Sequence, residues 1–325
     1  MGPLLSHSIL LSTALIFPSL IKLCAAQLSS CDDVGCPLDQ YDQSSCVIGN
    51  TTAGALGISN FTSPLSSERL TWTIAIQSIN GTDSTFERDF FLGTPPGLNL
   101  TAAGRPSEIE ACALFFEGVA AKTTFPGTDH ENDQGTCSDA LSKSCVDSLR
   151  THALASLSSI RTNSTSTASV CDQLSHAFRD QTTTNSCTVA SSGWGTILAR
   201  PLTGPMAAPF VQQGECHPTT GGKDYNLELV AANRLDAPSR NIDELDPILF
   251  GVTPIMTITY GGNVSEPAVD LSCLKTIGMS PNTTTTNQKN GAAGQNVPGT
   301  QNVLLYGALG LCACLIPSFL GADLV

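Results

Sequence analysis

The side chains here that could do chemistry are cysteines and carboxylates. Thirteen cysteines occur in 325 residues. Thiolates hold zinc when they stand close together, as in C-x2-C pairs, and no such pair is present. The histidines past the leading segment, His130, His152, His176 and His217, are single and scattered, so neither a metal site nor a cofactor is expected. Asp129, Glu131 and Asp133 alternate along an acidic stretch, and alternating oxygens are how a loop wraps calcium. The EF-hand pattern is not met, because Gln134 stands where glycine is needed and Ala140 where the bidentate glutamate is needed. A looser calcium loop and a solvated loop leading into a helix cap both stay open, the second being the simpler. No G-x-S-x-G elbow and no H-E-x-x-H helix occurs.

A second acidic run, Asp243-Glu244-Leu245-Asp246-Pro247-Ile248, resembles the E-[IL]-D-x-x-E or E-[IL]-D-x-E motif of fungal wall glucanases and transglycosylases. In that family the acidic residues alternate along one strand, so their carboxylates share a face and act as nucleophile and acid/base. The resemblance implies Glu244 as nucleophile with Asp246 beside it. The acid/base position, however, holds Ile248, and Pro247 disturbs the strand. Without a proton donor the leaving group goes unassisted. No catalytic residue is therefore expected, Glu244 and Asp246 being the candidates that remain. The alternative is an acidic helix turn or loop ahead of a strand.

The two ends carry addresses. Ile9 to Ile21 is an apolar run followed by Cys24-Ala25-Ala26. It falls short of the roughly 20 apolar residues of a membrane span, and its small flank suits signal peptidase. Residues 1–26 are expected to be a cleaved signal peptide, although no Lys or Arg precedes the run. At the other end, Asn290-Gly291-Ala292 is followed by a polar spacer and then by an apolar tail from Val303 to Leu320. Small triplet, spacer and tail make the arrangement for GPI attachment. A transmembrane helix would want a basic flank, and Gly321 to Val325 has none. Asn290 is the expected attachment site, with Gly291 the alternative, and residues 291–325 would be removed. The expected location is extracellular, GPI-anchored to the plasma membrane, with transfer to the cell wall open.

Removing both signals leaves Cys31, Cys36, Cys46, Cys112, Cys137, Cys145, Cys171, Cys187, Cys216 and Cys273. An even number in an exported chain implies disulfides, whose connectivity the sequence leaves open. N-glycosylation sequons start at Asn50, Asn60, Asn80, Asn99, Asn163, Asn263 and Asn282, marking surface positions. Residues 281–290 are Thr-rich and read as a short O-glycosylated stem. The net charge of -13 excludes a general polyanion binder, since nucleic acid requires clustered Lys and Arg. The expected partners are the membrane, through the lipid, and a wall polysaccharide or a surface protein.

The elements between the signals form one disulfide-linked ectodomain, residues 27–280. Its fold class is α+β: a mainly antiparallel β domain with an inserted αα-hairpin. Leu70 to Ile76 alternates with period two, and Phe86 to Leu92 is a second strand candidate, the pair forming a hairpin. Ala111 to Val119 is a buried strand or a short helix. Thr136-Cys-Ser-Asp139 and Ser169-Val-Cys-Asp172 are capping patterns. A stripe at Leu141, Cys145, Leu149, Ala153, Leu157 and Ile160, and a shorter one at Val170, Leu174, Ala177 and Phe178, follow them. These two helices are expected to cover a sheet. Trp194 to Leu202, Tyr225 to Leu235 and Ile255 to Tyr260 are further strands, kept short by prolines. Trp72 and Trp194 are expected in the core.

Phe90 to Gly97, Cys112 to Val119 and Gly135 to Leu149 resemble segments of uncharacterised secreted, often GPI-anchored, glycoproteins of filamentous ascomycete fungi. The resemblance implies an address and supplies no catalytic residue. The functional expectation is a non-catalytic surface or wall glycoprotein with a structural, adhesive or recognition role. The alternatives are a carbohydrate-binding module and a wall-modifying glycoside hydrolase with another carboxylate pair.

Overall fold

Period-two alternation builds two antiparallel sheets. The computed structural model describes residues 45–79, 85–101, 109–127, 133–162, 168–179, 186–211, 216–221, 224–237, 242–262 and 266–278. The chain divides into Met1–Pro281 and Asn282–Val325, and every described residue belongs to the first unit. In chain order its strands are β1 (Cys46–Ile48), β2 (Thr51–Ala53), β3 (Ala55–Ser63), β4 (Ser66–Ser78), β5 (Thr85–Thr94), β6 (Ile109–Phe115), β7 (Leu198–Pro201), β8 (Asn226–Asp236), β9 (Thr253–Gly261), β10 (Ala268–Leu274) and β11 (Ile277–Gly278). The helices are α1 (Glu117–Ala120), α2 (Cys137–Leu141), α3 (Lys143–Thr162), α4 (Val170–Arg179) and α5 (Ile242–Phe250).

One sheet runs β11-β3-β4-β5-β8 and the other β10-β9-β6-β7, while β1 and β2 pair as a small hairpin. The two larger sheets face each other. Leu70, Trp72 and Ile74 of β4 and Phe90 and Leu92 of β5 meet Ala111, Ala113 and Phe115 of β6 and Ile255 of β9. Trp72 stacks on Phe61 at 5.9 Å and meets Phe115 edge-on at 5.4 Å. Its indole N–H crosses the sandwich to the Thr257 hydroxyl at 3.1 Å, which satisfies the polar end of a buried ring.

The outer face of each sheet is also covered. Cys112, Leu114, Met256 and Ile258 pack against Leu149, Ala153, Leu157, Leu174 and Phe178 of α3 and α4. Leu56, Ala75, Phe91 and Leu227 lie beneath Cys46, Ile48 and Ala53 of the small hairpin and Cys216. The α+β class and the helical pair covering a sheet follow the sequence expectation. Both caps form as well. The Thr136 backbone N–H donates to the Asp139 carboxylate at 2.7 Å, which holds that carboxyl below its ordinary range. The Asp172 N–H donates to the Ser169 hydroxyl oxygen at 3.1 Å.

Three expectations are corrected in detail. The stripe from Leu141 to Ile160 is broken at Ser142, which adopts φ 74° between α2 and α3. Its hydroxyl oxygen accepts the Cys145 N–H at 3.3 Å, so the residue starts a new helix. The segment Ala111–Val119 is a strand up to Phe115 and a helical turn from Glu117. Of Trp194–Leu202 only Leu198–Pro201 is strand. β8, by contrast, runs for 11 residues, because no proline falls between Pro218 and Pro238.

The disulfides tie the layers. Cys112–Cys171 joins β6 to α4, Cys137–Cys273 joins α2 to β10, and Cys145–Cys187 joins α3 to the segment ahead of the 3-10 turn Thr188–Ala190. Cys46 and Cys216 are likewise disulfide-bonded. Cys31 and Cys36 lie outside the described residues.

Candidate functional site

β5 carries charge on both of its faces, because alternation sends neighbouring side chains to opposite sides of the sheet. Glu87 and Asp89 face the small hairpin, and Arg88 points into the end of the inter-sheet core. On the outer face the Thr51 hydroxyl of β2 donates to Asp89 Oδ2 at 2.7 Å. The Gln77 amide of β4 donates to the same oxygen at 3.1 Å and to Glu87 Oε2 at 3.2 Å. Arg234 of β8 lies 3.9 Å from Glu87 on the open side. Burial pushes the Asp89 carboxyl up to about 6, against the hydrogen bond from Thr51; the charge of Glu87 adds to the rise and the Gln77 hydrogen bond opposes it. Two carboxylates sharing one amide, one of them holding its proton towards neutral pH, are a recognised arrangement for acid/base work. Asp89 is only 2% exposed, so the hairpin stands between this pair and any polymer substrate.

On the inner face Arg88 is 1% exposed and fully engaged. Nη1 donates to Glu117 Oε2 and to Thr253 Oγ1, each at 3.4 Å. Nε donates to the Ile248 carbonyl at 3.1 Å and Nη2 to the Pro247 carbonyl at 3.3 Å. These carbonyls end α5, where backbone acceptors lack helical partners and a cation is favoured. Glu117 accepts in addition from the Asn233 amide at 2.7 Å and from the Thr253 hydroxyl at 3.2 Å. Burial lowers the Arg88 pKa while Glu117 restores part of it. A buried ion pair with its lone pairs and protons filled fixes geometry; this one fastens α1, α5 and β8 to the end of β5.

A third buried acid stands alone. Glu228 of β8 pairs in register with Leu92 and shares the inner face with Thr94. It is 1% exposed. Among the described residues neither of its carboxyl oxygens has a hydrogen-bond partner, and the Thr94 hydroxyl has none either. Burial alone pushes Glu228 up to about 8. Asp270 and Tyr260, near α3, are also raised by burial.

The residues singled out in the sequence are spread apart. Glu244 and Asp246 lie in α5, which is helical. This is the acidic helix turn ahead of a strand that stood beside the glucanase-like resemblance, with β9 following it. Asp133 accepts at its carbonyl from the Lys275 ammonium at 2.7 Å, which sets a cation of the chain itself at the described end of that acidic run. Asp129 and Glu131 lie outside the described residues. Among the described residues no three His, Cys, Asp or Glu side chains gather as metal ligands. Asn50, in the β1–β2 turn, and Asn99 are exposed. Asn60 of β3 is half-buried and accepts from Arg69 at 3.3 Å. Asn80, Asn163, Asn263, Asn282, Asn290 and Gly291 fall outside the described residues. Trp72 and Trp194 are both buried, as expected.

Sequence reasoning missed Glu87, Arg88, Asp89 and Glu228. The signal for the first three was a run of charge inside a strand flanked by Phe86 and Phe90; for Glu228 it was one acid set among Leu227, Leu229 and Val230. No protein family, curated protein or solved structure matches this chain.

Proposed function

We propose that the chain is a non-catalytic glycoprotein of the fungal cell surface, held by a GPI lipid and serving a structural, adhesive or recognition role. The observation that carries this reading is the disulfide frame. All eight described cysteines are bonded, and cross-links of this kind persist in an oxidising compartment. They tie α4 to β6 and α2 to β10. Exposed Asn50 and Asn99 offer positions for glycans. The segments that resemble secreted ascomycete proteins fall on β5 and its following turn, on β6–α1 and on α2–α3, all framework elements. The apolar tail after Asn290 supplies the anchor signal.

A second reading, a wall-modifying hydrolase, rests on the pair Glu87 and Asp89 alone, and the burial of Asp89 disfavours it. The anchored reading is tested on cells producing the full chain. Treatment with a phosphatidylinositol-specific phospholipase, or glucanase digestion of the wall, is expected to release the protein. Recovery of the protein free in the medium, carrying neither lipid nor glucan remnant, overturns it.

A further inference from the structure

We propose that Glu228 is a proton-operated latch: as a neutral acid it lets the edge strand β8 close on the inter-sheet core, and its ionisation loosens that strand. β8 ends the order β11-β3-β4-β5-β8 and is held along its length by β5. On its other side the described contacts are the bridge from Phe210 to Glu228 and the hydrogen bond from the Val211 N–H to the Leu227 carbonyl at 2.8 Å. An edge strand with one full-length neighbour opens more readily than a central one.

The surroundings of the carboxyl are apolar or neutral. β5 presents Leu92 and Thr94, β8 itself presents the neutral Asn226 and Val230, and the bridge brings Phe210. From the facing sheet, β7 approaches β8; Leu198 packs into the inter-sheet core, and alternation puts Arg200 on the same face. Arg200 is the charged residue among these, but it is exposed and its guanidinium donates to the Ala199 carbonyl at 2.9 Å. Ionising an acid in such a site takes a charge out of water while, among the described residues, no donor is bonded to it. The chain must either keep the proton or hydrate the group, and hydration requires β8 to move. The Thr94 hydroxyl, also without a partner among the described residues, would be wetted by the same opening.

The direction follows from linkage. The folded-state pKa lies above the ordinary carboxylate value, so folding takes up a proton. The contribution of Glu228 to stability is complete below about pH 4.5, declines as pH rises and is spent once pH passes about 8. In that window one linked proton changes the folding equilibrium constant about tenfold per pH unit.

The test compares the full chain with Glu228→Gln by chemical unfolding from about pH 4.5 to about pH 8.5, with hydrogen exchange read at the β8 amides. Asp89 and Asp270 titrate in both proteins, so the difference isolates Glu228. The wild type is expected to lose stability with rising pH more steeply than E228Q, by one proton's worth, with β8 amides losing protection ahead of those of β4 and β9. Superimposable pH profiles overturn the proposal. Should E228Q fail to fold, infrared spectroscopy of the Asp89→Asn, Asp270→Asn double variant decides: a carboxylic-acid carbonyl band at neutral pH that disappears above about pH 8 supports the latch, and no such band at neutral pH contradicts it.

Discussion

Arg88 shows how much of the molecule rests on single buried charges. Its partners Glu117, Pro247, Ile248 and Thr253 come from α1, from α5 and from the strand after it. Replacing it with alanine strands Glu117 in the core. Arg88→Ala is expected to cost about 3–5 kcal/mol, the range for removing one partner of a buried pair, measured as a shift in the urea midpoint. The charge run inside the strand marks Arg88 but not its partners, because the contact from Arg88 to Thr253 spans 165 positions. Asp89 makes a prediction with a definite sign. Its carboxyl is raised to about 6, so its contribution is whole in acid and fades as pH climbs from about 4 through about 6. Asp89→Asn is expected to flatten unfolding midpoints over that interval. Equal slopes for the two proteins would show that Asp89 keeps its ordinary carboxylate behaviour.

The elements were legible where one period dominated. β4 alternates in residue type from Leu70 to Ile76, although both of its faces are buried there, α3 and α4 carry apolar stripes, and both capping patterns form. β3 was not legible: it carries the small residues Ala55, Gly57 and Ser59 among its few large apolar ones, and the sequon marked Asn60 as a surface position. α5 stood open between an acidic helix turn and a loop, and Ile242, Leu245 and Leu249 stand at the helical spacing that favours the helix found. Close approaches between elements are invisible to pattern. A Cβ on Gly57 of β3 would meet the Lys275 carbonyl oxygen at 1.8 Å, and that atom is backbone that cannot swing aside. Gly57→Ala is therefore expected to destabilise by about 1–3 kcal/mol, the cost of overpacking, measured by thermal unfolding. Removing the β6–α4 cross-link with the double replacement Cys112→Ala and Cys171→Ala is expected to cost about 2–4 kcal/mol, since it frees a long loop in the unfolded chain. A change under about 1 kcal/mol would mean that packing alone holds α4 to the sheet.

At the scale of the whole molecule the sequence conveyed class and composition better than arrangement. The cysteines implied cross-links without saying which pair, because pairing is decided by which strand and helix faces meet. The covered outer faces of both sheets depend on the αα-hairpin and on the β1–β2 hairpin folding back across long stretches of chain. The described carboxyls with pKa values pushed up by burial, Asp89, Glu228 and Asp270, lie inside this body or partly so. The most direct test takes the full-length protein, released from producing cells, and incubates it with chitin, β-1,3-glucan, mannan and plant-wall polysaccharides while free and rearranged sugars are measured. The account predicts no sugar product from any of them; steady product release that disappears in Glu87→Gln or Asp89→Asn would contradict it.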